Sequence, residues 1–252
     1  MCRFDSNCFV GNWPFFRVKE NTVAQLLKVH DRFGFTGGYV SSLEAIFYQD
    51  PYEAEKQLAK EIQNTRYKHI MILNPMLPAW KDDLARCISK LGVTGVRLMP
   101  GFHGYTLNNP VMADVIQEVK KYSIPMLLTL RMHDERMTWM YHPRNIPMQE
   151  VCDFVNCSKD VSILVNHIRP HEINQLNELG VRWDDLYVDI SGFKGGMNAV
   201  EGVLKFDFLK GHIVFGSGAP LLETYGSVLQ LETAEIDTGT INQVFSGNPF
   251  SK

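Results

Sequence analysis

A closed (β/α)8 barrel, the TIM-barrel architecture of the α/β class, is the fold this sequence predicts, and three observations predict it. Eight short apolar runs alternate with eight helical patterns along the chain, and alternation of this kind specifies a parallel sheet. The 252 residues match the usual length of one such barrel. No Gly-x-Gly-x-x-Gly follows any of the apolar runs, which argues against an open dinucleotide-binding sheet. No linker or low-complexity segment interrupts the pattern, so a single domain over 1–252 is expected.

Arg3–Val10 reads as the first strand, with Arg3, Asp5, Asn7 and Phe9 on one face and Phe4, Ser6, Cys8 and Val10 on the other. Thr22-Val-Ala-Gln25 is a capping box, and its helix runs through Leu26, Leu27 and Val29 towards Gly34. Gly37–Ser42 is the second strand, and Asp50-Pro51 opens a helix over Tyr52–Thr65. His69–Asn74 is the third strand; Asp82–Leu91 follows as a helix with Leu84, Ile88 and Leu91 on one stripe. The fourth strand lies within Gly92–Pro110 and carries Arg97, with a polar, aromatic loop after it and a helix from Pro110 to about Lys121. Pro125–Arg131 is the fifth strand and Pro147–Cys157 a helix. Val161–His167 is the sixth strand, with His167 on the face of Ile163 and Val165, and Gly180 ends the helix His171–Leu179. Leu186–Ser191, a helix near Ala199–Leu209, Ile213–Ser217 and a last helix over Leu222–Ile236 complete the alternation.

Composition excludes several classes. The apolar fraction of 45% and charged fraction of 21% are those of a folded globular protein. Net charge is −3 with scattered lysines and arginines, so there is no electrostatic footprint for nucleic acid. The longest apolar runs, such as Ile124–Leu130, are too short to cross a bilayer. The opening MCRFDSN has no basic segment followed by an apolar one, and the five cysteines have no framework spacing. Free thiols and a cytoplasmic location are the expectation.

In such a barrel the site lies at the C-terminal ends of the strands. Arg97 stands out, because a buried guanidinium keeps its proton and costs several kcal/mol, roughly, to take out of water alone. It needs either an anionic substrate or an ion pair with Asp5 or Asp189. After the fifth strand, Arg131-Met-His-Asp-Glu-Arg136 is dense in titratable groups: Arg131 suits an anion clamp, His133 and Asp134 suit acid–base work, and Arg136 reads as structural. His167, before the polar segment Ile168–Pro170, is the candidate general acid or base, with Arg169 beside it. His103 and Tyr105, beside Gly101 and Gly104, either reach a ligand or cap the barrel. His30, His69 and His212 fall at element starts and read as structural. No His-x-His or Cys-x-x-Cys spacing marks a metal site, and no Gly-x-Ser-x-Gly elbow marks a serine hydrolase.

Taken in order, these segments resemble the amidohydrolase superfamily, in its amidohydrolase-related (amidohydrolase 2) branch. Phe4–Gly11 is similar to the family's opening D-x-H-x-H-x-G, and Gly95–Pro100 with His103–Tyr105 and Asn109-Pro110 to its fourth-strand segment. Ile163–His167, Leu186–Gly192, Ile213–Pro220 and Asn248–Phe250 resemble the later motifs. The resemblance implies a barrel hydrolase or lyase whose divalent ion activates water. This chain departs from that pattern. The first-strand histidine pair falls on Asn7 and Phe9, the fifth-strand histidine near Thr129 or Arg131, and the eighth-strand aspartate on Gly218, leaving His167 alone. The expectation is no metal and no other cofactor, with guanidinium groups in the cavity.

Two functions follow from this reading. One is a metal-independent hydrolase of lactones or esters, or a lyase, acting on a small anionic substrate. Arg97, Arg131 and Arg169 would bind the anion with Asp5, Asn7, His103, Tyr105 and Asp189 around it, and His167, His133 and Asp134 would handle protons. The other is a non-catalytic descendant that binds a small ligand or a protein partner. Trp139, Met140 and Tyr141 would then suit a contact with a second copy or partner, or equally a lid over the mouth.

Overall fold

The computed structural model describes residues 2–132, 141–193 and 199–250. Along the chain run β1 (Arg3–Val10), α1 (Val23–Arg32), β2 (Phe35–Ser42), α2 (Tyr52–Ile62), β3 (Tyr67–Leu73) and α3 (Trp80–Leu91). Then come β4 (Gly95–Leu98), the short α4 (Pro100–His103), α5 (Val111–Tyr122), β5 (Met126–Thr129), α6 (Met148–Cys157) and β6 (Ile163–Asn166). The last third holds α7 (Pro170–Glu178), β7 (Leu186–Asp189), α8 (Ala199–Leu204), β8 (Ile213–Val214), α9 (Thr224–Glu232) and α10 (Thr238–Ser246). The strands pair in chain order, every pair parallel. Backbone bonds from Ser6 to Phe215 (2.9 Å), Gly218 to Asn7 (2.8 Å) and Phe9 to Ala219 (2.7 Å) join the last strand to the first. The result is a single (β/α)8 barrel.

Local chemistry sets the element ends where the sequence marks them. The Thr22–Gln25 capping box forms at α1, and the Asp50 and Asn109 carbonyl or carboxylate oxygens accept from the second residue beyond each. β1 matches the expected run and β2 and β3 begin two residues earlier than expected, whereas β5 to β8 are shorter than the apolar runs that announce them. Two helices fall outside the expected pattern, the short α4 in the segment read as a loop and α10 near the end of the chain. For α10 the local chemistry is clear. Asp237 caps it by accepting from the Thr240 amide at 2.8 Å, and Phe245 stacks on Phe215 at 5.2 Å. Its β-branched, glycine-containing opening hides it from a propensity reading.

Inside the barrel, Phe4, Tyr39, Ile70, Leu127, Leu164 and Val214 form an apolar floor, while alternate residues such as Met71, Val96, Leu128 and Val165 pack outward under the helices. β1 breaks the alternation. Its pairing with β2 shifts register between Asp5 and Cys8, and one extra residue exchanges the two faces. The expected grouping of Asp5 with Asn7 and Phe9 is therefore corrected. Phe4 points inward below the bulge, and Cys8 and Val10 pack outward against Val23 and Leu26 of α1. Asp5 also turns outward, its Oδ2 lying 3.0 Å from His30 Nε2.

Two buried histidine–carboxylate pairs tie helices to this wall, Asp5–His30 for α1 and Glu55–His69 (2.6 Å) for α2. Glu55 also accepts from the Ile72 amide at 2.8 Å, so both its oxygens are used. The structural reading of His30 and His69 thus acquires named partners. Among the described residues no helix is long and apolar enough to cross a membrane. Removing the carboxylate in Glu55→Ala strands an imidazole and an amide in the core. We expect a loss of about 3 kcal/mol in equilibrium urea unfolding, with Glu55→Gln recovering part of it.

Candidate functional site at the barrel mouth

One layer above the apolar floor, the interior is polar and is organised on Arg97, which is fully buried. Its Nε donates to Ser41 Oγ at 2.9 Å; its Nη1 donates to Asn7 Oδ1 at 2.7 Å, Thr129 Oγ1 at 3.1 Å and Asn166 Oδ1 at 3.3 Å. These acceptors come from β1, β2, β5 and β6, so one guanidinium on β4 gathers much of the mouth. Its Cζ lies 4.1 Å from the centre of the Phe9 ring. Nη2 is buried without a hydrogen-bond partner. Neither Asp5 nor Asp189 pairs with it: every acceptor it touches is neutral. Burial pulls its pKa from 12.5 to about 10, which still leaves the group charged at neutral pH.

Asn7 and Asn166 connect this cation to the other ionisable groups. The guanidinium can only donate, so Asn7 turns its oxygen to Arg97 and its Nδ2 to His167 Nε2 and Ser191 Oγ, both at 3.1 Å. His167 Nε2 is thereby an acceptor, and the ring proton of the neutral form sits on Nδ1. Asn166 likewise accepts from Arg97 and donates to Asp189 Oδ2 at 2.9 Å. Asp189 takes three more bonds, from the His167 amide (3.1 Å), the Ser191 amide (3.3 Å) and Ser191 Oγ (2.7 Å). Burial nevertheless raises its pKa, against the pull of these donors.

The expected face of His167 is also corrected. β6 ends at Asn166, whose side chain points inward, and His167 leaves the strand in the left-handed region at φ 57°. Two glycines make room for the folded-back ring and its neighbours. A Cβ on Gly218 (φ 70°) would lie 2.9 Å from His167 Cε1, and one on Gly216 would lie 2.4 Å from Asp189 Oδ2. An acidic side chain at 218 has neither the backbone conformation nor the space.

Arg131 is engaged with protein groups. It forms a two-pronged pair with Glu172 (2.8 and 2.6 Å) and donates to the His167 carbonyl at 2.6 Å, while the Arg169 amide donates to Glu172 at 2.9 Å. His103 Nε2 donates to the Ile46 carbonyl at 3.0 Å, and Tyr105 packs in the main core with Leu98 and Leu107. Neither hydrogen-bonds to Arg97, Asn7 or His167. His133, Asp134, Arg136, Trp139 and Met140 lie outside the described residues. Phe9, whose ring lies against Arg97, packs in one apolar cluster with Trp13, Ile72, Met99 and Met132. Trp13, Phe15, Phe47, Phe102 and Tyr141 extend it as an aromatic cluster. Sequence reasoning missed Asn166, Ser191 and Glu172 as parts of the site. A polar residue closing the apolar run Ile163–Asn166 was the one available signal.

Burial pushes the His103 imidazole down from 6.5 to about 4, only partly opposed by its bond to Ile46. A base with a lowered folded pKa contributes stability above pH 6.5 that is lost as the pH falls towards 4. Relative to His103→Gln, the wild type should therefore lose about 2 kcal/mol across that interval in denaturant unfolding.

No family model and no curated protein sequence matches the chain. Solved structures do. A Staphylococcus aureus protein with an amidohydrolase designation superposes with a TM-score of 0.72 at 13% identity, covering 97% of each chain. An Acinetobacter baumannii protein with a 2-pyrone-4,6-dicarboxylic acid hydrolase designation, solved with citric acid bound, gives 0.69 at 15% identity, covering 99% of this chain and 98% of its own. The dihydroxybenzoic acid decarboxylase of Polaromonas sp. JS666, solved with bound manganese and the inhibitor 2-nitroresorcinol, gives 0.69 at 14% identity, covering 97% and 94%. Among the described residues, the mouth layer does not present the donor set of a resident divalent ion. The layer is built on a fixed guanidinium, Phe9 lies against it, and Asp189 is enclosed by four donors. Of the described residues in the layer, His167 by itself falls short of the three or more protein ligands such an ion takes. At these identities the likeness establishes architecture: the chain folds as the barrel shared by amidohydrolases and their decarboxylase relatives.

Proposed function

We propose that this protein is an amidohydrolase-related hydrolase or lyase that acts, without a catalytic metal, on a small anionic substrate held at the barrel mouth. The observation that carries the reading is Arg97, a buried cation with neutral acceptors on Nε and Nη1 and none on Nη2. An anion at Nη2 supplies the missing acceptor and the missing countercharge together. Because Nη2 is buried, substrate entry requires the side chains that cover it to part. Asn7 holds His167 Nε2 as an acceptor beside the guanidinium, so a substrate proton delivered to that atom moves next to the group that binds the anion. The hydrolase and decarboxylase designations of the structural neighbours support a bond-cleaving reaction of this kind.

A second reading, a ligand-binding descendant without turnover, is favoured by a separate observation. The two groups best placed for proton transfer, His167 Nε2 and Asp189, are already engaged by internal donors, and position 218 has no carboxylate.

Turnover of a panel of small lactones and carboxylic acids, assayed with and without a chelator, separates these readings. We expect turnover that the chelator leaves unchanged. Arg97→Met and His167→Asn should each lower kcat/KM by about a hundredfold or more while circular dichroism shows a folded barrel. Ligand-induced thermal stabilisation without turnover would establish the binding reading instead. Activity that disappears with the chelator and returns with manganese would overturn metal independence.

A further inference from the structure

On the outer side of β1, where α1 packs against the barrel wall, Asp5, Cys8 and His30 are all buried. A carboxylate oxygen, the sulfur and an imidazole nitrogen lie within 4.8 Å of one another. The cluster is separate from the mouth layer, since Cys8 packs outward with Val23 and Leu26.

Three features go beyond proximity. The Tyr67 hydroxyl sits 3.0 Å from His30 Nδ1, leaving Nε2 aimed at Asp5, and a hydrogen bond to the far ring nitrogen is how a metal-binding imidazole is oriented. Asp5 is a fully buried carboxylate with no lysine or arginine at ion-pair distance among the described residues. Its oxygens meet only the Asn7 and Ser217 amides, Ser217 Oγ and His30 Nε2. The one titratable partner among these is His30, whose Nε2 faces Asp5 Oδ2 at 3.0 Å. Finally, the donors are one sulfur, one imidazole and one carboxylate, a mixed set of the kind zinc takes.

We infer that Asp5, Cys8 and His30 form a structural site for a zinc-class divalent cation that pins α1 to β1. Carboxylate and thiolate together cancel the ion's charge, so the loaded cluster is neutral and its burial is cheap. On loading, the Cys8 S–H bond, now directed at the Tyr39 carbonyl at 3.1 Å, breaks. The sulfur electron pair forms the bond to the ion, and one proton leaves to solvent. His30 shifts its proton from Nε2, where Asp5 accepts it, to Nδ1, where the Tyr67 oxygen accepts it, and gives Nε2 to the ion. At zinc–ligand distances the donor atoms stand about 3.5 Å apart, so the sulfur closes in by about 1 Å. Spacing rules miss this site because its ligands come from a strand and a helix, 25 residues apart between Asp5 and His30.

The probe is Co2+, added to the full chain after dialysis against a chelator. One Co2+ per chain is expected, with a near-ultraviolet thiolate-to-cobalt charge-transfer band that Zn2+ abolishes by displacement. Cys8→Ser should lose the band and bind Co2+ at least tenfold more weakly. Cys87→Ser, at another buried thiol outside the cluster, should keep both. Where circular dichroism shows Cys8→Ser to be unfolded, His30→Gln takes its place with the same tenfold expectation. Absence of the band in the wild type, or equal Co2+ affinity in the wild type and the folded variant, overturns the inference. The result is independent of whether the barrel mouth turns over a substrate.

Discussion

Everything at the mouth of this barrel depends on a single desolvated cation shared among neutral acceptors. Arg97 has no carboxylate in contact, yet it draws side chains from four other strands into one layer. Hydrogen bonds to a charged donor are stronger than neutral ones, and several of them together offset part of the cost of burying the guanidinium. The remainder shows in its lowered pKa and in the unmet nitrogen. The layer is also directional. Because an arginine cannot accept, each amide that touches it must turn its oxygen inward, and this fixes what Asn7 presents to His167 and what Asn166 presents to Asp189.

Phe9 offers the guanidinium a ring face, and it packs in one apolar cluster with Trp13, Ile72, Met99 and Met132. A charged group kept in so dry a place is strongly polarising toward whatever comes to lie beside it.

The fold was legible because eight apolar runs and their capping signals repeat along the chain, and these depend on neighbours in sequence. Arg97 was legible for the same reason, as a charge inside an apolar run. Its surroundings were legible only in part. Asn7 is named from the first strand, but Thr129 and Asn166 are unremarkable polar residues until closure brings their strands round to β4. The inward turn of His167 depends on a left-handed backbone that no glycine announces, and the outward turn of Asp5 depends on a register shift invisible in the strand's own composition. Glu172 illustrates the limit well: it reads as one residue of a helix, and only the structure reveals it clamping Arg131.

The bulge in β1 divides one strand of eight residues between two layers. Below it, the inward residues belong to an apolar floor common to the whole barrel; above it, they belong to the mouth. Because the phase is reset between the two, a substitution at Asn7 or Phe9 in the upper storey leaves unchanged which side chains support the lower one.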